Sequence, residues 1–147
     1  MSDQTIPVDS TLPHRATRIR PPVSELIGFE VTEAADGHAT VVLQAGTRHS
    51  NPMGTVHGGI LCDIADAAMG IAFASTLAAG ESFTTVELKI NFFRPVRDAM
   101  LRAEGRVIHR GRTIGYVECN ITDETEKLIA KSNSTCLVLR GDQATGR

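Results

Sequence analysis

There is no tryptophan in this chain and only one tyrosine, and aromatic residues fill just 4% of its 147 positions. Base-stacking platforms need aromatic rings, so nucleic acid is not an expected partner. Strong charge of one sign is missing too: the formal net charge is −2 and the pI is near 6.2. No global basic field therefore invites nucleic acid or anionic lipid. Cysteine is scarce. Cys62, Cys119 and Cys136 are odd in number and widely spaced, with no metal-ligand pattern. They read as small buried residues of a reducing compartment, and the cytoplasm is the expected location. The N-terminus lacks the apolar core of a signal peptide.

Long hydrophobic runs are absent except for one, from Ile60 to Ala79, whose only charges are Asp63 and Asp66. Its length would suffice to cross a bilayer. Two aspartates near the bilayer centre would cost about 2.5–3.5 kcal/mol each, and no basic cluster flanks the run, so a membrane span is not expected. An ordinary surface helix carries a polar face along its whole length. This one has almost none, so it is expected to be buried nearly all round, wrapped by a sheet. A carboxylate inside such a segment is costly unless it is paired, hydrogen-bonded or used. Asp66 is therefore the most informative residue in the sequence.

What is present fits one domain that buries roughly 70% of its unfolded surface. The composition, 41% hydrophobic and 22% charged, is that of a globular protein. Residues 1–22 are polar, punctuated by proline, and read as a flexible arm carrying Arg15, Arg18 and Arg20. The domain runs over 23–140, and 141–147 form a polar tail. Val23–Ile27 can form a short helix with Pro22 near its first turn. Gly28–Thr32 alternates as a strand, and Asp36-Gly37 is a two-residue hairpin signal leading to a strand over Ala39–Gln44. A loop over Gly46–Val56 precedes the apolar helix, and Gly80 marks its expected stop. Thr84–Phe93 then places Val86, Leu88, Ile90 and Phe92 on one face, opposite Thr85, Glu87, Lys89 and Asn91. Pro95 closes that strand. Leu101–His109, Thr113–Thr122 and Leu128–Leu139 complete the set, with turns at Arg110–Arg112 and Asp123–Glu126. The expected class is α+β, a curled antiparallel sheet around one long buried helix. A second copy could extend the sheet edge to edge and remove an exposed edge strand, so a homo-oligomer is expected.

The segment Asn51-Pro52-Met53-Gly54-Thr55-Val56-His57-Gly58-Gly59, followed by Asp66 and Gly70, resembles the signature of hotdog-fold acyl-CoA thioesterases of the phenylacetate-degradation (PaaI-like) type. The resemblance covers about residues 25–139. It implies a hotdog fold, an acyl-CoA substrate and a dimer or dimer of dimers with sites built between chains. Thr85, Asn91 and Pro95 also fall where that family tends to place a hydroxyl residue, a polar residue and a strand-ending proline.

The residues themselves suggest chemistry beside that resemblance. Backbone N–H groups at a helix start have no intrahelical partner and carry the positive end of the dipole. Gly58 and Gly59 would let a thioester carbonyl approach them closely, or would only permit a sharp turn into the helix. Asp66, with the small Gly70 one turn on, could attack a thioester or activate water, or serve as a structural polar contact. Asp63 is the competing acid, nearer the helix start, where negative charge is stabilised without a function. His57 and Asn51 could hold the thioester or fix the loop; the resemblance implies the former. Thr85 could orient Asp66 or a water, or be a plain strand former. Arg94, Arg110 and Arg112 are candidate cations for coenzyme A phosphates, or ordinary solvated arginines. Ile60, Leu61, Met69, Phe73 and Phe92 could line an acyl pocket or belong to the core. His49 and Cys62 lie near His57 in sequence, but the spacing fits no zinc pattern, so no metal is expected. No separate cofactor is expected either, coenzyme A being part of the substrate. The competing function is an acyl-CoA-binding regulatory domain, against which the lack of a basic DNA-reading helix counts. A hotdog dehydratase ranks lower still, because its spacing of acid and histidine is not matched.

Overall fold

The computed structural model describes residues 20–145. Of the arm expected over 1–22, residues 1–19, with Arg15 and Arg18, lie outside the described residues, as do the last two residues of the chain. Pro22–Ile27 forms α1, which ends on Gly28 in the left-handed conformation at φ 93°. Phe29–Ala35 (β1) and His38–Ala45 (β2) pair across Asp36-Gly37, whose φ values of 51° and 79° are those a two-residue turn requires. Gly58–Ala74 is α2. Four strands follow: Glu81–Phe92 (β3), Ala99–Arg110 (β4), Ile114–Thr122 (β5) and Leu128–Arg140 (β6). The tail carries a short 3-10 turn at Gly141–Ala144.

All six strands join one antiparallel sheet in the order β1-β2-β4-β5-β6-β3. The sheet curls around α2, as expected of the α+β hotdog reading. Inward residues of alternating strands meet the helix: Val41, Leu43, Leu101, Val117 and Ile121 are all essentially inaccessible, as are Ile64, Met69 and Phe73 of α2. Two glycines let helix and sheet close. A Cβ at Gly105 on β4 would stand 2.4 Å from the Ala68 carbonyl oxygen, and one at Gly115 on β5 would collide with the Phe73 ring. No helix among the described residues is long and apolar enough to cross a membrane.

Three features differ from the sequence expectation. The helix stops at Ala74, not near Ala79. Ser75 Oγ donates to the Ala72 carbonyl and Thr76 Oγ1 to that of Phe73, both at 2.7 Å, which satisfies carbonyls left open by the last turn. Gly80, with φ 78°, serves the turn into β3 instead. Second, α2 is buried on one side only. Leu61, Ile64, Ala65, Ala68, Met69, Ala72 and Phe73 face the sheet, whereas Gly59, Asp63, Asp66 and Ala74 are exposed. One sheet of this width covers a single face of a rod, and the other face is left open. Third, β3 is bulged: Thr85 pairs with Cys136 but the next pair is Glu87 with Thr135. The extra residue, Val86, turns outward and is 55% exposed. Thr85 consequently shares the inner face with Phe83, Leu88 and Ile90 rather than with Glu87, Lys89 and Asn91.

The tight seat of α2 on β4 carries a prediction. Gly105→Ala should lower the unfolding free energy by about 1–3 kcal/mol or more, seen as a lower urea midpoint, because the helix backbone must retreat. A midpoint equal to the parent's would show that the helix does not bear on Gly105.

Candidate active site

The loop before α2 is tied together by Asn51. Its Oδ1 accepts from the N–H groups of Met53 (2.9 Å) and Thr55 (3.2 Å), and its Nδ2 donates to Thr55 Oγ1 at 2.9 Å. The Asn51 backbone adds a bond to Thr55 O at 2.7 Å and one from Gly54 N–H at 2.9 Å, around the positive φ of Gly54. His57 N–H donates to His49 O, and the buried His49 ring meets the Gly46 N–H and the Ile27 carbonyl. Asn51 thus spends its side chain on the loop, which delivers His57 to the helix start.

His57 is the N-cap of α2. Its Nδ1 accepts from the Gly59 N–H at 2.9 Å. A neutral ring that accepts at Nδ1 carries its proton on Nε2, which leaves an N–H there to donate. The Gly59 amide is therefore occupied. Ile60 N–H donates back to His57 O at 3.0 Å, and among the described residues Gly58 N–H has no partner. Of the two glycines expected to offer donors, only Gly58 does so.

Asp66 lies two turns further on. Among the described residues its carboxylate has neither an ion-pair nor a hydrogen-bond partner. It stands on the open face of α2, yet enough protein surrounds the carboxyl to push its pKa up, by burial first and by the Asp63 charge second. Burial also raises Asp63. Cys62, half-buried one turn before Asp66, is raised by burial and then by both aspartates, so its thiol is held protonated. Cys136 on β6 is likewise raised by burial; the Thr85 and Ser134 hydroxyls oppose this, and Asp66 adds to it. Thr85 and Cys136 stand opposite each other on the paired strands β3 and β6, and the charge of Asp66 on α2 reaches Cys136. At Gly70 a Cβ would rest 3.6 Å from the Phe83 ring.

The three arginines part company. Arg94 is exposed just past β3, at the end where α2 begins. Arg97 and Lys127, which sequence reasoning missed, line the same shallow hollow of about 390 Å³, together with the carboxylates of Asp98, Asp123 and Glu124. Arg97 Nη1 also donates to the Gly54 carbonyl at 3.0 Å. Only the folded register of the β5–β6 turn brings Lys127 there, so no sequence signal marked it. Arg110 is not a free cation: it pairs with Glu81 at 2.6 Å and lies over the Phe73 ring, 5.3 Å from its centre. Arg112 is exposed in the β4–β5 turn, near the far end of α2. Leu61, Met69 and Phe73 belong to the core, which leaves the partly buried Ile60 and the exposed Phe92 for contact with a ligand. Among the described residues no group of three or more His, Cys, Asp or Glu converges as metal ligands would.

The site thus has a free amide donor and an uncompensated carboxylate, the pair of tools used in acyl transfer. They are eight residues apart on one helix, about 12 Å at 1.5 Å per residue. One chain cannot apply both to a single carbonyl.

The sequence profile of the thioesterase superfamily matches residues 53–130. The chain is 31% identical over 116 residues to the 1,4-dihydroxy-2-naphthoyl-CoA hydrolase of Listeria monocytogenes, covering 79% of this chain and 94% of that protein. A conserved protein of Pseudomonas aeruginosa with a solved structure is 35% identical and superposes with a TM-score of 0.77, over 82% of this chain and 95% of that one. The PaaI protein from the phenylacetic acid degradation operon of Escherichia coli has the same fold at 24% identity, with a TM-score of 0.76 over 82% of this chain and 86% of that one.

The raised pKa of Asp66 makes a stability prediction whose sign is fixed by linkage. A carboxyl raised in the folded state favours folding while protonated, and that contribution is lost as pH rises through the folded pKa. At neutral pH the charged Asp66 therefore opposes folding. Asp66→Asn should melt at a higher temperature than the parent at pH 7, and the gap should close below about pH 3.5, where an unfolded aspartate is also mostly protonated. A variant melting no higher than the parent at pH 7 would contradict the burial assigned here.

Proposed function

From the premise that this chain belongs to the thioesterase superfamily, we propose that it hydrolyses an acyl-CoA thioester to the free acid and coenzyme A, at sites shared by two copies. One observation carries the reading: among the described residues a carboxylate without a partner, Asp66, and an amide without a partner, Gly58 N–H, occur on one helix too far apart to serve one carbonyl within a chain. In a two-fold dimer each Asp66 faces the Gly58 of its twin, which removes that distance. The open edge of the sheet supports such a partner. Among the described residues β3 is an unpaired edge of 12 residues, and Val86, Phe92 and Phe93 on or beside it are all more than half exposed.

In this reading the thioester oxygen accepts from Gly58 N–H, where negative charge grows during attack. Asp66 either takes a proton from a water that attacks the carbonyl, or attacks it directly and forms a mixed anhydride that water then opens. In both routes the C–S bond breaks, the thiolate leaves and takes up a proton, and one water is consumed. Thr85, turned inward by the bulge, orients the water or the carboxylate. His57 Nε2–H is free to hold the thioester oxygen or sulfur. Asn51 acts through the loop it ties together, and Gly70 leaves room beside the acid. Gly59 contributes its amide to His57 rather than to substrate. Arg94, joined by Arg97 and Lys127, offers charge to the phosphates of coenzyme A; Arg112 is a more distant candidate, and Arg110 is engaged by Glu81.

Thiol release from octanoyl-, benzoyl- and phenylacetyl-CoA tests the reading. The parent should free thiol from at least one. Asp66→Ala and Asp66→Asn should lose about 10³-fold or more in kcat while staying folded. Gly58→Pro removes the donor at a position where proline suits a helix start, and His57 at ψ 136° already has the backbone a following proline needs. It should cost about 10²–10³-fold, more than Gly58→Ala, which adds the same Cβ beside Phe92 but keeps the N–H. Parental turnover in the Asp66 variants would end the assignment. Binding of acyl-CoA without thiol release would favour the regulatory alternative instead. The acid limb of the pH–rate profile should follow Asp66 and move to lower pH in Asp63→Asn, since a neighbouring negative charge is removed. An unmoved limb would detach Asp63 from the chemistry. Label found in Asp66 after a single turnover in oxygen-18 water would establish the anhydride route, because water must then have opened an anhydride at the Asp66 carbonyl.

A further inference from the structure

Aromatic rings of the same chain stand close beside the two glycines that open α2, so that a side chain at either would be in tight contact with one. A Cβ at Gly59 would stand 3.0 Å from His57 Nδ1. One at Gly58 would stand 3.0 Å from Phe92 Cζ and 3.4 Å from both Cε atoms, so the tip of the Phe92 ring lies close beside the Gly58 Cα. Phe92 is the last residue of β3, opposite Ala130 of β6. Unlike Phe73, which is fully buried, it remains 52% exposed. A half-exposed ring thus leans against the residue whose amide is free, at the end of an edge strand.

Resting on the thioester reading, we infer that Phe92 is a positioning residue for the reaction: its ring is the water-excluding wall of the carbonyl site at Gly58. Water competes for an open amide and weakens, by its high dielectric, any bond that amide makes to a developing oxyanion. A ring on the Cα side removes part of that competing water. It also limits the directions from which an oxygen can reach the N–H. The ring forms no bond and moves no proton. Its effect is on how strongly the donor acts once the oxyanion forms, so it should appear in kcat more than in KM.

Steady-state kinetics on the best substrate among octanoyl-, benzoyl- and phenylacetyl-CoA tests this, using Phe92→Ala, Phe92→Leu, Gly58→Ala and the Gly58→Ala/Phe92→Ala pair. Phe92→Ala should lower kcat about tenfold with KM changed less than about twofold. Phe92→Leu, which restores apolar bulk, should stay within about threefold of the parent. Gly58→Ala pushes the ring aside and should lower kcat, but in the Phe92→Ala background the added methyl has room and should cost less than about twofold. Melting temperature and assembly mass, measured for each variant, separate this from loss of structure. Parental kcat in Phe92→Ala, additive effects of the two substitutions, or a kcat loss that follows only the loss of assembly would each overturn the inference. If the parent hydrolyses and Asp66→Asn does not, while Phe92→Ala keeps parental kcat, this inference alone falls. A parent that frees no thiol removes both readings.

Discussion

A helix is a rigid spacer, and the rest of the site follows from that. Gly58 and Asp66 are fixed about 12 Å apart along α2, and neither finds a polar partner among the described residues. The core holds the rod on one side only, through Gly105, whose missing side chain lets the helix backbone approach β4, and Gly115, which makes room for the Phe73 ring against β5. Everything the sheet leaves uncovered, Gly59, Asp63, Asp66 and Ala74, lies on the other side. The fold therefore presents two halves of a reaction site that two copies can complete and one cannot.

The open face has an energetic signature. Asp63 and Asp66 are one turn apart and both are raised by burial, and the Asp63 charge raises Asp66 further. A surface helix optimised for stability would place a lysine among them. The chain instead keeps two acids and a half-buried thiol side by side, while the outer surface of the sheet pairs its charges in the ordinary way, as Lys131 does with Glu118 at 3.2 Å. Local stability is given up where chemistry is proposed and kept where it is not, the usual trade between stability and activity.

Much of this was legible from the residues. Asp36-Gly37 announced its hairpin, the alternation of Gly115, Val117, Cys119 and Ile121 announced a buried strand face, and the order of strands around one apolar helix announced the architecture. The helix start was marked by His57 and two glycines, although the surroundings of the glycines were not. The rings that lie close beside them are those of His57 and Phe92, and the second comes from 34 positions away in sequence. The bulge at Val86 left no trace because it depends on the register with β6, and it alone decides that Thr85 faces inward. Arg110 looked like a free cation because its partner, Glu81, is distant in sequence. Apolar content suggested a helix buried all round. Composition reports how much surface must be covered, but not whether the same chain or another copy covers it.

Subunit complementation tests the central claim most directly. Asp66→Asn and Gly58→Pro chains, each inactive by itself, would be co-expressed with different tags and the mixed assemblies recovered. If a site takes its acid from one copy and its amide from the other, every mixed dimer contains one intact site. Random pairing then restores about a quarter of parental specific activity to the unfractionated mixture. Mixed dimers as inactive as the two parents from which they came would contradict the account, because acid and donor would then have to act from the same chain.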